Sequence, residues 1–82
     1  MSTNTIDRLI AMANQIGLFF GTMPDRQQAL LDLATHLKRF WEPRMLRALW
    51  THVEVHGGAG LDGVVLQALR AHRDLFGAQA LS

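Results

Sequence analysis

The segment HLKRFWEPRML, residues 36–46, places a proline between two stretches of helical periodicity, and this break decides the fold. Pro43 has no backbone N–H, and it disfavours the α conformation at the preceding residue, Glu42. A helix that passes through residue 36 must therefore end before the proline. Proline is also well suited to the first position of a new helix. The segment predicts an elbow that joins two helices.

The sequence on either side of the elbow predicts four helices in total. Apolar residues recur at 3.6-residue spacing in each segment, and clusters of turn-forming residues separate the segments. We place the helices approximately at residues 5–20, 26–41, 43–56 and 62–76. Because short connections favour antiparallel neighbours, we expect an all-α fold, a small three- to four-helix bundle. Residues 1–82 should form a single helical domain, with a frayed tail at 77–82.

The same periodicity predicts which side chains form the core and which residues cap the helices. The second helix should bury a stripe that ends with Phe40 and Trp41, and the fourth should carry His72 on its buried face. Asp25 is a candidate N-cap for the second helix, with Gln28 three residues on. Gly57 is a candidate left-handed C-cap for the third helix.

Length and composition exclude several classes of function. A chain of 82 residues makes one domain, with 49% hydrophobic and 18% charged residues. A net charge of +1 provides no broad field to attract nucleic acid, and no apolar run approaches the roughly 20 residues needed to cross a membrane. The chain has no cysteine, and its start, MSTNTIDR, lacks the order of a secretory signal. We therefore predict a cytoplasmic protein.

Histidines provide the only candidates for metal binding or catalysis. His52 and His56 share a helix face at a spacing known from zinc sites, but Glu54 points to the far side and no third ligand is evident. A zinc or small-molecule site here is a minor alternative to two partly exposed histidines. His72 has no predicted catalytic neighbour. The GGAG segment, 57–60, is interpreted as a turn that needs positive φ, not as a phosphate-binding loop.

A protein-binding surface is the better-supported hypothesis. Several side chains lie outside the predicted core stripes: Met12, Leu18 and Phe19 on the first helix, and Arg39, Arg44 and Arg47 around the elbow. Aromatic and arginine side chains beside a rigid proline turn are typical of interface anchors. The competing interpretation is that the aromatic residues of the elbow simply belong to the core.

Three stretches together resemble one known family. They are MANQIGLFF (12–20), HLKRFWEPRML (36–46) and GGAGLDGVVLQAL (57–69). In this order they resemble the delta subunit of cytoplasmic, NAD-dependent, molybdenum-containing formate dehydrogenases. The chain departs from the family pattern at three positions, where Glu42 stands for the usual Asp, Leu46 for a common basic residue and Gly63 for an expected proline.

The resemblance implies a non-catalytic accessory subunit with no cofactor of its own. Its partner would be the large catalytic subunit, in a complex that carries bis-molybdopterin guanine dinucleotide, iron–sulfur clusters and FMN. The residues that we predict to bind this partner are Asn14, Gln15, Phe19, Arg39, Phe40, Trp41, Pro43, Arg44 and Met45. The alternative is a self-associating helical module, a homodimer without enzymatic activity.

Overall fold

The computed structural model describes residues 5–77, which form four α-helices and a short 3₁₀ helix and contain no strand. The helices are α1 (Thr5–Phe20), α2 (Arg26–Phe40), α3 (Pro43–His56) and α4 (Gly63–Ala71), and the 3₁₀ helix is Arg73–Phe76. The predicted all-α bundle is confirmed. Residues 78–82 of the predicted tail lie outside the described residues.

The fourth predicted helix is interrupted at His72. Its backbone has φ −121° and ψ 37°, so α4 ends at Ala71 and the chain continues as the 3₁₀ helix instead of one helix to residue 76. His72 is half-buried at this break and does not lie on the buried face of a continuous helix. The break accompanies the docking of Phe76, which is fully buried with its ring centroid 5.6 Å from that of Trp50. Core packing has overridden the helical periodicity here.

A single core holds all of the elements together. The helix α1 packs against each of the other three helices, and α2 packs against α4 and the 3₁₀ helix. The largest fully buried side chains are Trp50, Phe76, Leu33, Leu37, Leu46, Leu49, Leu69 and Val65. These side chains come from α2, α3, α4 and the 3₁₀ helix, so each helix after α1 contributes to the core, and Leu9 and Ala13 of α1 pack against them.

The helix ends follow from local chemistry. Asp25 accepts a hydrogen bond from the backbone N–H of Gln28 (3.2 Å between oxygen and nitrogen), as the capping pattern predicts. Pro43 is the first residue of α3, and Gly57 ends that helix in the left-handed conformation with φ 66°. Gly58 and Gly60 also have positive φ, which confirms the interpretation of the 57–60 segment as a turn.

The elbow separates two adjacent aromatic side chains. Trp41 leaves the helix in an extended conformation (φ −89°, ψ 140°), and its side chain is only 6% exposed. Phe40 is the last helical residue and is 68% exposed, so the prediction that it belongs to the core stripe is wrong. The change of backbone direction after residue 40 moves Trp41 into the core in its place.

Helices α1 and α4 approach each other closely at Gly17. A Cβ atom at this buried glycine would lie 2.6 Å from Cγ2 of Val65 and 3.1 Å from Cγ1 of Val64. Both distances are below ordinary van der Waals contact, so α4 packs directly against the α1 backbone. The buried residues of α1 are Leu9, Ala13 and Gly17, which lie on one face of the helix.

Substitution of Gly17 tests this contact. Gly17→Ala should lower the free energy of unfolding by about 1–2 kcal/mol. The added methyl group would overpack against two stiff β-branched valines, and the cost of this overpacking is larger than the gain in helix propensity. Urea unfolding followed by circular dichroism measures the change. The matched control is Gly63→Ala, where a Cβ meets nothing within 4 Å. Equal stabilities of the two variants would contradict the close approach.

Candidate protein-binding surface

Four ring side chains form a continuous row across α1 and α2, which we call the aromatic row. Its members, in order, are Phe19, Phe20, His36 and Phe40, with successive ring centroids 5.2, 5.7 and 4.8 Å apart. Phe19 and Phe40 are 71% and 68% exposed, whereas the two middle rings are half-buried. The two ends of the row are thus apolar rings that the core of the protein does not cover.

Local structure at two helix ends positions the row. The last turn of α1 is closed by Thr22, whose hydroxyl donates a hydrogen bond to the carbonyl oxygen of Phe19 (2.8 Å). On α2, His36 and Phe40 are four residues apart and therefore lie on the same side of the helix. Packing of α1 on α2 then brings Phe20 against His36 with an edge-on geometry. The two exposed phenylalanines are linked by rings that the fold itself holds in place.

The middle of the row was missed by the sequence analysis. Phe19 and Phe40 are among the predicted partner-binding residues, but Phe20 and His36 are not. One signal was available, the four-residue spacing of His36 and Phe40. The link from Phe20 to His36 joins different helices, and only the packing of α1 against α2 shows it.

Cationic side chains surround the exposed end of α2 and the elbow. We call Lys38, Arg39, Arg44 and Arg47 the basic elbow; all four are exposed. The guanidinium carbon of Arg39 lies 5.7 Å from the ring centroid of Phe40, which is within the range of a cation–π contact. Within residues 5–77, none of the four forms an ion pair. The basic elbow therefore adjoins the aromatic row and keeps its charges available.

Two predicted partner-binding residues have roles inside the fold. Trp41 is buried, so it can position the elbow but offers almost no surface for contact. Asn14 donates from Nδ2 to the carbonyl oxygen of Gly60 (2.9 Å) and accepts at Oδ1 from the backbone N–H of Asp62 (2.8 Å). Both of its polar atoms thus hold the loop that precedes α4. The amide of Asn14 is engaged within the chain.

The remaining predicted residues lie at or near the surface. Gln15, Pro43 and Arg44 are exposed, and Met45 is half-buried at the start of α3. The ring contacts bring Phe19, Phe40 and Arg39 into one continuous patch. The side chain of Asn14 instead bonds to the loop at residues 60–62.

The histidine pair on α3 has a structural contact. The rings of His52 and His56 are 5.5 Å apart, and Nε2 of His52 is 2.7 Å from the carbonyl oxygen of Ala59. This bond ties the end of α3 to the glycine-rich turn. Among residues 5–77, no three His, Asp or Glu side chains are grouped so that they could hold a metal ion. In the same residues, no helix combines the length and apolar character needed to span a bilayer.

The fold and the surface define a small all-α protein whose exposed aromatic and basic side chains have the composition of a protein interface. The family model for the NADH-dependent formate dehydrogenase delta subunit, FdsD, matches residues 8–69. This match covers most of the chain, from α1 to the last turns of α4. The protein belongs to the formate dehydrogenase delta subunit family.

Other comparisons add no relatives. No curated protein and no solved structure matches the chain. The matched region includes the aromatic row and the basic elbow and ends before the 3₁₀ helix. The family assignment thus covers the surface described above.

The role of Asn14 can be tested by hydrogen exchange. Asn14→Ala should speed exchange of the Asp62 amide and lower the free energy of unfolding by about 1 kcal/mol, because two hydrogen bonds to the loop are lost. Gln15→Ala is the control, since its side chain is exposed and should change stability by less than about 0.5 kcal/mol. Unchanged exchange at Asp62 in the Asn14 variant would refute the loop-holding role.

Proposed function

We propose that this delta subunit is a non-catalytic accessory subunit that binds the large, molybdopterin-containing subunit of a NAD-dependent formate dehydrogenase. The binding surface is the aromatic row together with the basic elbow. The observation that carries the proposal is the exposure of Phe19 and Phe40 in one continuous ring network. Membership of the delta subunit family provides the complex in which such a surface would be covered.

The energetics favour a partner over free solvent. Full burial of a phenylalanine side chain contributes about 1.5–3 kcal/mol relative to exposure. Phe19 and Phe40 gain little of this in the isolated chain, although Phe20 and His36 hold their positions. A surface held in place by half-buried rings requires little reordering on association, so most of the burial is available for binding.

The predicted partner-binding residues then divide into two roles. Phe19 and Phe40 provide apolar contact, and Arg39 and Arg44 provide charge-assisted hydrogen bonds. Gln15, Pro43 and Met45 lie at or near the surface and extend the contact area. Trp41 and Asn14 act indirectly, by fixing the elbow and the loop before α4.

The chemistry of the complex is assigned to the other subunits. We infer that they carry the bis-molybdopterin guanine dinucleotide, the iron–sulfur clusters and the FMN. Support comes from the composition of this chain, which has no cysteine to ligate an iron–sulfur cluster. We also propose that this protein is located in the cytoplasm.

Alanine substitutions at the ends of the aromatic row test the binding surface. Phe19→Ala with Phe40→Ala should weaken binding of the large subunit at least about tenfold, because two anchors lose their apolar contact. Co-purification with the tagged large subunit, followed by interferometry, measures the loss. The isolated double variant should keep its helix content and unfold within about 0.5 kcal/mol of the wild type, because both side chains are largely exposed.

A matched control uses an equally exposed apolar side chain outside the row. Val55 is 67% exposed on α3. Val55→Ala should leave binding unchanged. Loss of binding in the Val55 variant but not in the phenylalanine pair would assign the interface to a different face. A homodimer detected by light scattering across concentrations, with no large-subunit binding, would replace the proposal with self-association.

A further inference from the structure

We propose that the basic elbow and the aromatic row together bind an acidic segment of the partner, with carboxylates on the cations and an apolar side chain between Phe19 and Phe40. This inference rests on the proposed function and specifies the chemistry of the partner segment. It predicts that association depends on salt, and that the contact contains Asp or Glu side chains of the large subunit.

Positive charge is concentrated at the basic elbow. Half of the eight Lys and Arg residues lie within residues 38–47, where Glu42 is the single acid. The other six acidic residues are distributed over the rest of the chain. A protein with a net charge of only +1 thus carries a local surplus of positive charge beside its largest exposed rings. Electrostatic complementarity at an interface favours an anionic partner surface there.

The stability of the isolated fold explains only part of this surplus. Lys38 and Arg39 lie in the last turn of α2, where cations interact favourably with the helix dipole. Arg44 lies in the first turn of α3, where the dipole disfavours it, and Arg47 follows at the start of the second turn. The first turn of α3 contains no acid, and its N-cap, Glu42, makes no side-chain capping bond. Carboxylates of a partner would neutralise the positive charges of these two arginines.

The geometry places cations and rings within one interface. Arg39 stacks on Phe40, so a carboxylate bound by its guanidinium would approach the edge of the aromatic row. Arg44 follows Phe40 by four positions in the sequence, so their Cα atoms are at most about 14 Å apart. A standard interface covers about 800 Å² on each partner, a patch of about 16 Å radius. One segment of the partner can therefore contact both.

Lys38 allows a direct test, because it is the only lysine in the chain. Carbodiimide treatment of the intact complex joins an amine to a carboxylate with no spacer. We expect a cross-link from Lys38 to an Asp or Glu of the large subunit, identified by mass spectrometry and absent in Lys38→Arg. If the complex forms and Lys38 remains reactive within it, but no such cross-link appears, the proposal of an acidic segment is contradicted.

Charge substitutions provide the quantitative test. Arg44→Glu with Arg47→Glu should weaken binding of the large subunit at least about tenfold in 50 mM salt, and the Gln pair should weaken it less. Wild-type affinity should fall steeply between 50 and 500 mM NaCl, and the slope should be shallower in both variants. The control is Arg8→Gln with Arg70→Gln, two exposed arginines on α1 and α4, which should change neither affinity nor slope.

The outcomes separate this inference from the proposed function. Suppose that the Phe19 and Phe40 double variant loses binding, but that binding is insensitive to salt and to the Arg44 and Arg47 substitutions. This result would overturn the acidic segment alone. Absence of wild-type binding to the large subunit would overturn both. A Lys38 cross-link to an acid of a second copy of this chain, with a dimer mass, would overturn it in favour of self-association.

Discussion

The break in the helical backbone between Phe40 and Pro43 is the constraint on which the rest of the structure depends. Proline ends one helix and begins the next, and both residues between the helices, Trp41 and Glu42, are extended. This change of direction carries Trp41 into the core and leaves Phe40 on the surface. One backbone feature therefore contributes both a core anchor and an exposed ring.

The bundle also closes through contacts that require very small residues. Gly17 lets α4 approach the backbone of α1, and the positive φ angles of the glycine-rich turn let the chain enter α4. Asn14 holds that turn from α1 by two hydrogen bonds to its backbone. The match to the delta subunit family includes these features together with the elbow.

The surface proposed for binding is separate from these stabilising contacts. The exposed rings of Phe19 and Phe40 add little to the core, and Arg44 lies in the first turn of its helix, where the dipole disfavours a cation. Side chains of this type are costly or neutral in the isolated protein. The proposed interface would account for them, because association would bury the rings and neutralise the cations.

The sequence by itself determined the all-α class, the elbow at Pro43, the cap at Asp25 and the turn at 57–60, because each depends on local backbone chemistry or on helical spacing. It also identified Phe19, Phe40 and the arginines as candidate residues of a protein-binding surface. Tertiary structure alone decided that Phe40 is exposed while Trp41 is buried, that the last helix breaks at His72, and that Phe20 and His36 join the exposed rings. These outcomes depend on contacts between residues on different helices, and the spacing of residues along one helix does not specify which neighbour each face will meet.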